Sequence, residues 1–428
     1  MNQDIKVFKF GGASVKDASS IENVVEILKN HQNNKILIVV SAMGKTTNKL
    51  EKVVALRHNP EESMAKLQEI KEAHFSVVES LFGEDKNLLS VLNDLFVEVE
   101  WAIEEQHEGY DFTYDQVVGV GELASTRLFW YALNKDGIKT EWVDARDIVK
   151  TDDVYRESWV LWDKTLANIK QKVEPKFDSF QFVVTQGFIG STTENNTTTL
   201  GREGSDYTGA IFSFGLDAKE MAIWKDVPGV LTGDPKKFNN VVKLGKLSYR
   251  EAIEMTYYGA KVIHPKTIKP LQNKNIPLQV RSFLNPEEEG TIVTADVENH
   301  YPPIVSIQED QTIVHISTKD YSFVAEHHMG ILFQELDRLR LKVNMMQNTA
   351  ISFALCVTDK EDRTQEFCQR IEENFKTSRE KNLELITVRH YQKPLIESLK
   401  KGKIILLEQR IRETVQFVAK DFPLMERL

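Results

Sequence analysis

Thr197-Thr198-Thr199-Leu200-Gly201-Arg202-Glu203-Gly204-Ser205-Asp206 lies between a buried strand pattern, Gln181 to Gly190, and a short apolar helix pattern, Tyr207 to Phe214. That makes a strand, loop and helix unit. Glycines at 201 and 204 let the backbone come close to a ligand. Ser205 can cap the following helix, whose first amides favour an anion. Arg202 adds a planar fork suited to a carboxylate or phosphate. Taken alone, the same residues also read as a solvated loop with a good helix cap.

The surrounding chain weights the first reading. Lys6 to Phe10 is a short strand that runs into Gly11-Gly12-Ala13-Ser14, and Ile21, Val24, Val25 and Leu28 then recur at helical spacing. Lys35 to Val40 is a continuous apolar run, as in a parallel strand covered on both faces, and it ends in Ser41-Ala-Met-Gly-Lys-Thr-Thr-Asn48. Residues 61–109 read as a helical insertion broken near Gly83, and Asp115 to Leu133 as a further helix. Strands at Glu141 to Val143, Gln181 to Ile189 and Met221 to Trp224 alternate with helices. Leu247 to Tyr257 and Ala260 to Leu271 read as helices, and Pro277 to Phe283 and Gly290 to Ala295 as β segments. The expectation for residues 1–300 is an α/β domain, an open and mostly parallel sheet sandwiched by helices.

A boundary is expected at Asn299-His-Tyr-Pro-Pro303, where prolines interrupt the pattern. Residues 301–428 change style. Strands at Gln311 to Ser317, Lys342 to Met346, Ile351 to Val357 and Leu383 to Val388, with helices at Phe323 to Arg338 and Arg363 to Phe375, spell an α+β unit of βαββαβ type. Lys403 to Leu407 and Thr414 to Val418 are too few and too irregular for a second complete unit and are expected to extend the first sheet.

The 428 residues carry a net charge of −10 with lysine and arginine dispersed, which speaks against nucleic acid or an acidic membrane as partner. No window approaches a membrane span, and the N-terminus lacks the pattern of a signal peptide, so a cytoplasmic protein is expected. The two cysteines, Cys356 and Cys368, suit reduced thiols in packed elements. No metal-ligand spacing is present, and the His327-His328 pair lies in a helical pattern.

Three glycine-bearing loops, at Gly11-Gly12, Ser41 to Thr47 and Gly201 to Ser205, follow strand patterns, and ligands of open α/β sheets bind at such carboxyl ends. Lys9 is placed to direct an ammonium at a phosphate held by the glycine amides, or else is a solvated strand lysine. Gly44-Lys45-Thr46 looks like the end of a P-loop, but Val39 occupies the position of the required first glycine. No G-x-G-x-x-G follows the first strand. Trp224-Lys-Asp-Val-Pro-Gly-Val-Leu-Thr-Gly-Asp-Pro-Lys-Lys237 suits a nucleotide, although a surface turn has the same composition. Glu122 is a lone carboxylate in a helix of small and apolar residues; its partner is Arg127, another structural cation, or a substrate ammonium.

Lys9-Phe-Gly-Gly-Ala-Ser-Val15, Gly121-Glu122 with Ser125, Thr198 to Asp206, Trp224-Lys-Asp-Val-Pro-Gly229 and Tyr258-Gly-Ala-Lys-Val-Ile-His-Pro265 resemble, in order and spacing, the motifs of aspartokinases. The C-terminal unit resembles the regulatory ACT domain of that family. The resemblance implies the amino acid kinase fold and phosphoryl transfer from Mg-ATP to the side-chain carboxylate of L-aspartate. It implies that Lys9 and the amides of Gly11 and Gly12 hold the transferred group. Ser41, Thr47, Glu122, Arg202 and Ser205 would bind aspartate, with Asp206 at the catalytic centre beside its ammonium. Lys225, Asp226, Gly229, Lys236 and Lys261 would surround ATP, and Mg²⁺ would ride on phosphates and water without a protein cage.

The chain departs from the family pattern where Ala13 replaces the usual threonine, Glu203 a glycine and Lys225 a threonine. A homodimer through ACT edges and an amino-acid effector, lysine or threonine, near Met329 to Leu332 and Gln347-Asn348-Thr349 are further expectations. No length remains for a fused homoserine dehydrogenase. A kinase for another small carboxylate, a carbamate or a nucleotide phosphate is the alternative within the fold. An amino-acid sensor with a degenerate kinase domain is the alternative outside catalysis.

Overall fold

The computed structural model describes residues 4–105, 109–260, 263–295, 297, 300–319, 323, 325–359 and 362–422. The chain divides into two compact units, one of residues 1–230, 243–253 and 262–298, the other of 231–242, 254–261 and 299–428. The division is therefore not a single cut near residue 300. Two short excursions bond to the C-terminal unit: Val305 N–H donates to Thr232 O at 2.8 Å, and Ser306 Oγ donates to Tyr258 O at 2.5 Å.

The first part of the chain runs β1 (Ile5–Phe10), α1 (Ala18–Lys29), β2 (Lys35–Val40), α2 (Thr46–Ala55), α3 (Pro60–Phe82), α4 (Lys86–Glu104) and α5 (Tyr110–Lys135). It continues through β3 (Thr140–Val143), α6 (Ala145–Ile148), α7 (Trp162–Asn168), β4 (Phe182–Gln186), β5 (Ile189–Ser191), β6 (Thr197–Thr199) and α8 (Gly204–Gly215). β7 (Glu220–Lys225), β8 (Lys246–Ser248), α9 (Tyr249–Tyr257), α10 (Pro265–Asn273), β9 (Leu278–Ser282) and β10 (Thr291–Thr294) follow.

The eight-stranded sheet has the order β3-β4-β2-β1-β7-β9-β10-β8. Every pair is parallel except β9 with β10. β2 is buried from Ile36 to Val40, as its unbroken apolar run requires of a strand covered on both faces. The insertion helices α3 and α4 bury Leu67, Ile70, Leu92 and Phe96 in the same core as Val117, Val118 and Phe129 of α5.

Several boundaries differ from the sequence reading. α8 begins at Gly204, with Glu203 as N-cap, so Ser205 lies inside the helix and does not cap it. Glu203 has φ 55°, the left-handed region, and this ends the preceding loop two residues early. Thr197–Thr199 pairs with β5 in a separate two-stranded ribbon, so the third glycine loop leaves that ribbon and not the main sheet. The helix expected from Ala260 starts only at Pro265, capped by His264 in extended conformation, as a proline at the first helical position favours.

The C-terminal part runs β11 (Ile304–Thr318), α11 (Glu326–Arg338), β12 (Val343–Asn348), β13 (Ser352–Thr358), α12 (Arg363–Ile371), β14 (Phe375–Arg389), α13 (Lys393–Lys400), β15 (Lys403–Ile411) and β16 (Thr414–Asp421). Its antiparallel sheet has the order β12-β13-β11-β14-β16-β15. β11 to β14 with α11 and α12 form the expected βαββαβ unit, and β15 and β16 extend its sheet as expected. Phe375 opens β14 and does not close α12, because its side chain belongs to the core beneath α11 and α12. α13 had no counterpart in the sequence reading. The free thiols sit on β13 (Cys356) and α12 (Cys368). Among the described residues, no helix is long and apolar enough to cross a membrane.

Candidate active site

Lys9 stands next to last on the central strand β1, opposite Val39 of β2 and Ile223 of β7. Its neighbours on the strand are buried and apolar, and its own side chain is only 11% exposed. A charge so placed needs a partner. Asp206, in the first turn of α8, supplies it: Lys9 Nζ lies 2.7 Å from Asp206 Oδ1. Lys225, at the end of β7, approaches the other carboxylate oxygen at 3.7 Å. Burial alone pushes the Asp206 carboxyl up, but Lys9 and Lys225 outweigh it and hold the group below the ordinary carboxylate range. A lysine from each of two adjacent strands is thus fixed by one aspartate, with net positive charge at the carboxyl end of the sheet.

The glycine loops meet there. A side chain at Gly12 would start 2.5 Å from Ala42 O and 2.6 Å from Gly44 O, so only glycine lets these two loops touch backbone to backbone. Gly44 N–H donates to Gly12 O at 2.9 Å. A side chain at Gly11 would start 3.5 Å from Lys9 Nζ, which places the ammonium beside that loop.

Glu122 reaches the same loops from α5. Gly121 permits it, since a Cβ there would lie 3.2 Å from Ala42 Cβ and 3.1 Å from Thr46 Cγ2. Glu122 is buried; Oε1 accepts a long bond from Ala42 N–H at 3.4 Å, and Oε2 has no hydrogen-bond partner among the described residues. Burial raises its carboxyl to about 8, against the opposing pull of the Ala42 amide, the Thr47 hydroxyl and the Lys9 charge. Arg127 is not its counter-ion, because that guanidinium stacks 3.4 Å from the Trp142 ring centroid. Ser125 Oγ donates to Ser41 O at 2.9 Å and fixes the loop that carries Ser41 and Thr47.

Arg202 is exposed at the tip of the next loop, and Ser205 is half-buried against Gly187, where any Cβ would meet the serine at 2.5 Å. Asp226 is exposed just beyond β7. Gly229 has φ 147° and packs on the Thr291 hydroxyl, so its backbone alone accounts for glycine at this position. Lys236 is exposed on a segment of the other unit, and Lys261 lies outside the described residues. The structure therefore brings Lys9, Gly11, Gly12, Ser41, Thr47, Glu122, Asp206 and Lys225 into one neighbourhood, and leaves Asp226 and Lys236 at the surface.

Asp115 is a further candidate that no motif marks. It is fully buried on α5 and accepts bonds from Thr199 and from the Arg156 amide. The available signal was its spacing: it precedes Glu122 by about two helical turns, so both carboxylates share a face of an otherwise small and apolar helix. No cluster of three or more potential metal-ligating residues occurs among the described residues.

A mostly parallel sheet with paired lysines and glycine loops at its carboxyl ends, and a buried carboxylate beside them, makes an α/β fold whose site suits phosphoryl transfer near an ammonium. The profile of the amino acid kinase family matches residues 4–282. The chain is 32% identical over 367 residues to lysine-sensitive aspartokinase 3 of Escherichia coli, covering 82% of this chain and 78% of that one. It is 34% identical over 310 residues to a chloroplastic bifunctional aspartokinase/homoserine dehydrogenase 2 of Arabidopsis thaliana, and spans only 33% of that relative's length. Among solved structures, E. coli aspartokinase III in complex with aspartate and ADP superposes with a TM-score of 0.82 at 27% identity, covering 97% of this chain and 96% of that one. The chain belongs to the amino acid kinase family and, within it, to the aspartokinases.

Proposed function

We propose that the protein transfers the γ-phosphoryl group of Mg-ATP to the side-chain carboxylate of L-aspartate, giving 4-phospho-L-aspartate, the first step toward lysine, threonine and methionine. The observation that carries this reading is the buried Glu122 carboxylate with an unpartnered oxygen, in the neighbourhood of Lys9 and the two glycine loops. Such a group selects an ammonium, and an amino acid presents one. Glu122, with Thr47 and Ser41, binds the ammonium end; Arg202 and Ser205 bind the α-carboxylate.

The acceptor carboxylate is already an anion, so its oxygen forms the new bond to phosphorus while the bond to the ADP oxygen breaks, and no general base is needed. Lys9 and the amides of Gly11 and Gly12 align and neutralise the moving group, and Asp206 holds Lys9 and Lys225 in place. Lys225, Asp226 and Gly229 serve the nucleotide. Mg²⁺ would be carried on the phosphates, and Asp206, engaged by two lysines, would stay with them. When bound, the ion neutralises phosphate charge.

The C-terminal unit is read as regulatory and dimerising, and the protein as cytoplasmic. Among the described residues no strand pairs with the outer edge of β14 at 375–382, an edge suited to a second copy.

Trapping the product with hydroxylamine tests the reading. Hydroxamate that depends on both Mg-ATP and L-aspartate is expected; none with aspartate, but ADP release with another small carboxylate, would overturn it. The same assay with lysine or threonine added reports whether an effector acts.

Arg202 and Glu203 provide a contrast. Arg202→Ala is expected to raise the KM for aspartate by about tenfold through loss of a charge-assisted pair. Glu203→Gly is expected to leave turnover intact and raise stability by about 1 kcal/mol, since glycine adopts the left-handed conformation of residue 203 without strain. Equal effects of the two on aspartate KM would refute the assignment of Arg202.

A further inference from the structure

We propose that Asp115 is a positioning residue that fixes the Arg202 loop for aspartate, an inference that rests on the reading of Arg202 as the carboxylate grip. Asp115 lies on α5 with no solvent exposure. Its Oδ2 accepts the Arg156 and Thr199 amides, each at 2.9 Å, and its Oδ1 accepts the Thr199 hydroxyl at 2.7 Å. Thr199 ends β6, just before Leu200-Gly201-Arg202. One carboxylate therefore ties the start of the Arg202 loop to the loop at 155–158.

The two loops also bond directly. Ser158 N–H donates to Thr199 O at 3.0 Å, and a side chain at Gly201 would start 3.2 Å from Arg156 O. Arg156 has φ 72°, a conformation costly for a non-glycine residue and here held by the bond to Asp115. Gln116 adds a second tie, donating to Thr197 O at 2.8 Å and accepting from Thr197 N–H at 3.1 Å. Helix α5 thus carries Glu122 for the ammonium and, about two turns earlier, the anchor of the loop that meets the carboxylate. The helix sets the spacing between the two ends of the substrate. Burial raises the Asp115 carboxyl to about 6, opposed by its three donors, so it is largely ionised at neutral pH and accepts all of them.

Steady-state kinetics of Asp115→Ala, Asp115→Asn, Thr199→Val and Arg202→Ala in the full chain test the proposal, with folded fraction followed by circular dichroism. Asp115→Ala is expected to raise the aspartate KM about tenfold and leave the ATP KM within about twofold, because β1 and β7 position the nucleotide side independently. Asp115→Asn is expected to recover to within about threefold of wild type: its amide oxygen can accept both backbone donors while its NH₂ donates to the Thr199 hydroxyl. Should the alanine variant fail to fold, Thr199→Val, which removes one bond, is expected to raise only the aspartate KM, by about threefold.

A folded Asp115→Ala or Thr199→Val protein with unchanged aspartate KM, or with activity lost only in proportion to the unfolded fraction, would overturn the proposal. An Arg202→Ala variant with normal aspartate KM would sink the grip reading itself, and the positioning role with it. If Arg202→Ala raises that KM and Asp115→Ala does not, only the positioning role falls.

Discussion

Lys9→Met is expected to lower kcat by about a thousandfold while changing the aspartate KM little, as loss of an interaction made chiefly with the moving phosphoryl group should. Methionine keeps the length and apolar stem of lysine, so β1 retains its packing between β2 and β7, and only the charge is removed. Lys225 remains 3.7 Å from Asp206 Oδ2, so the carboxylate is not abandoned in the interior. Activity therefore separates from folding in this variant. Measurement of kcat and both KM values on protein with native circular dichroism decides the matter. A kcat within tenfold of wild type would mean that Lys9 is a structural partner of Asp206, with Lys225 carrying the phosphoryl charge.

Glu122→Gln is expected to move stability and substrate binding in opposite directions. Its carboxyl, ordinarily near 4.5, is raised to about 8 by burial. A folded value above the unfolded one means that the folded state binds more protons between these limits. The stability that the protonated acid contributes is complete below pH 4.5 and is lost as pH rises through about 8. The shift corresponds to roughly 5 kcal/mol over that window. Glutamine stays neutral, so the Tm of the variant should match wild type near pH 5 and exceed it increasingly toward pH 8.5.

Binding runs the other way. Removing a buried anion from beneath an ammonium should raise the aspartate KM on the order of a hundredfold. Wild-type affinity should also improve as pH rises toward 8, a dependence the variant lacks. A wild-type Tm no lower than that of the variant at pH 8.5 would show that another cation neutralises Glu122. An unchanged aspartate KM would remove Glu122 from the substrate site.

Much of the site was legible because its signals are local. The glycines at 11 and 12, the lysine just before them, the unbroken apolar run of β2 and the lone glutamate of α5 each announce themselves within a few residues. Helix ends were less legible. The left-handed turn at Glu203 moved the start of α8 ahead of Ser205, and nothing in the side chain of a glutamate signals that conformation. Pro265 did offer a signal for the start of α10, since the residue before proline is biased to extended backbone.

Pairs far apart in sequence were hidden. Lys225 joins Asp206 only because β1 and β7 are neighbours in the sheet, and no local pattern reports strand order. Asp115 anchors Thr199 only because the glycines of α5 let that helix lie against β6, where a Cβ at Gly119 would start 2.9 Å from Thr197. The excursions at 231–242 and 254–261 join the C-terminal unit through hydrogen bonds to β11, beyond the reach of hydrophobic periodicity.

The sequence by itself determined most of the elements, the mostly parallel character of the first sheet, the βαββαβ order of the second, and the residue types able to meet phosphate, carboxylate and ammonium, because those follow from spacing and side-chain chemistry. Tertiary structure alone decided which charges neutralise one another. Among the described residues it left one Glu122 oxygen without a hydrogen-bond partner, gave Asp206 two lysines, and set Asp115 to bond Thr199 at the start of the Arg202 loop, because burial and distance belong to the packed chain and not to any stretch of it.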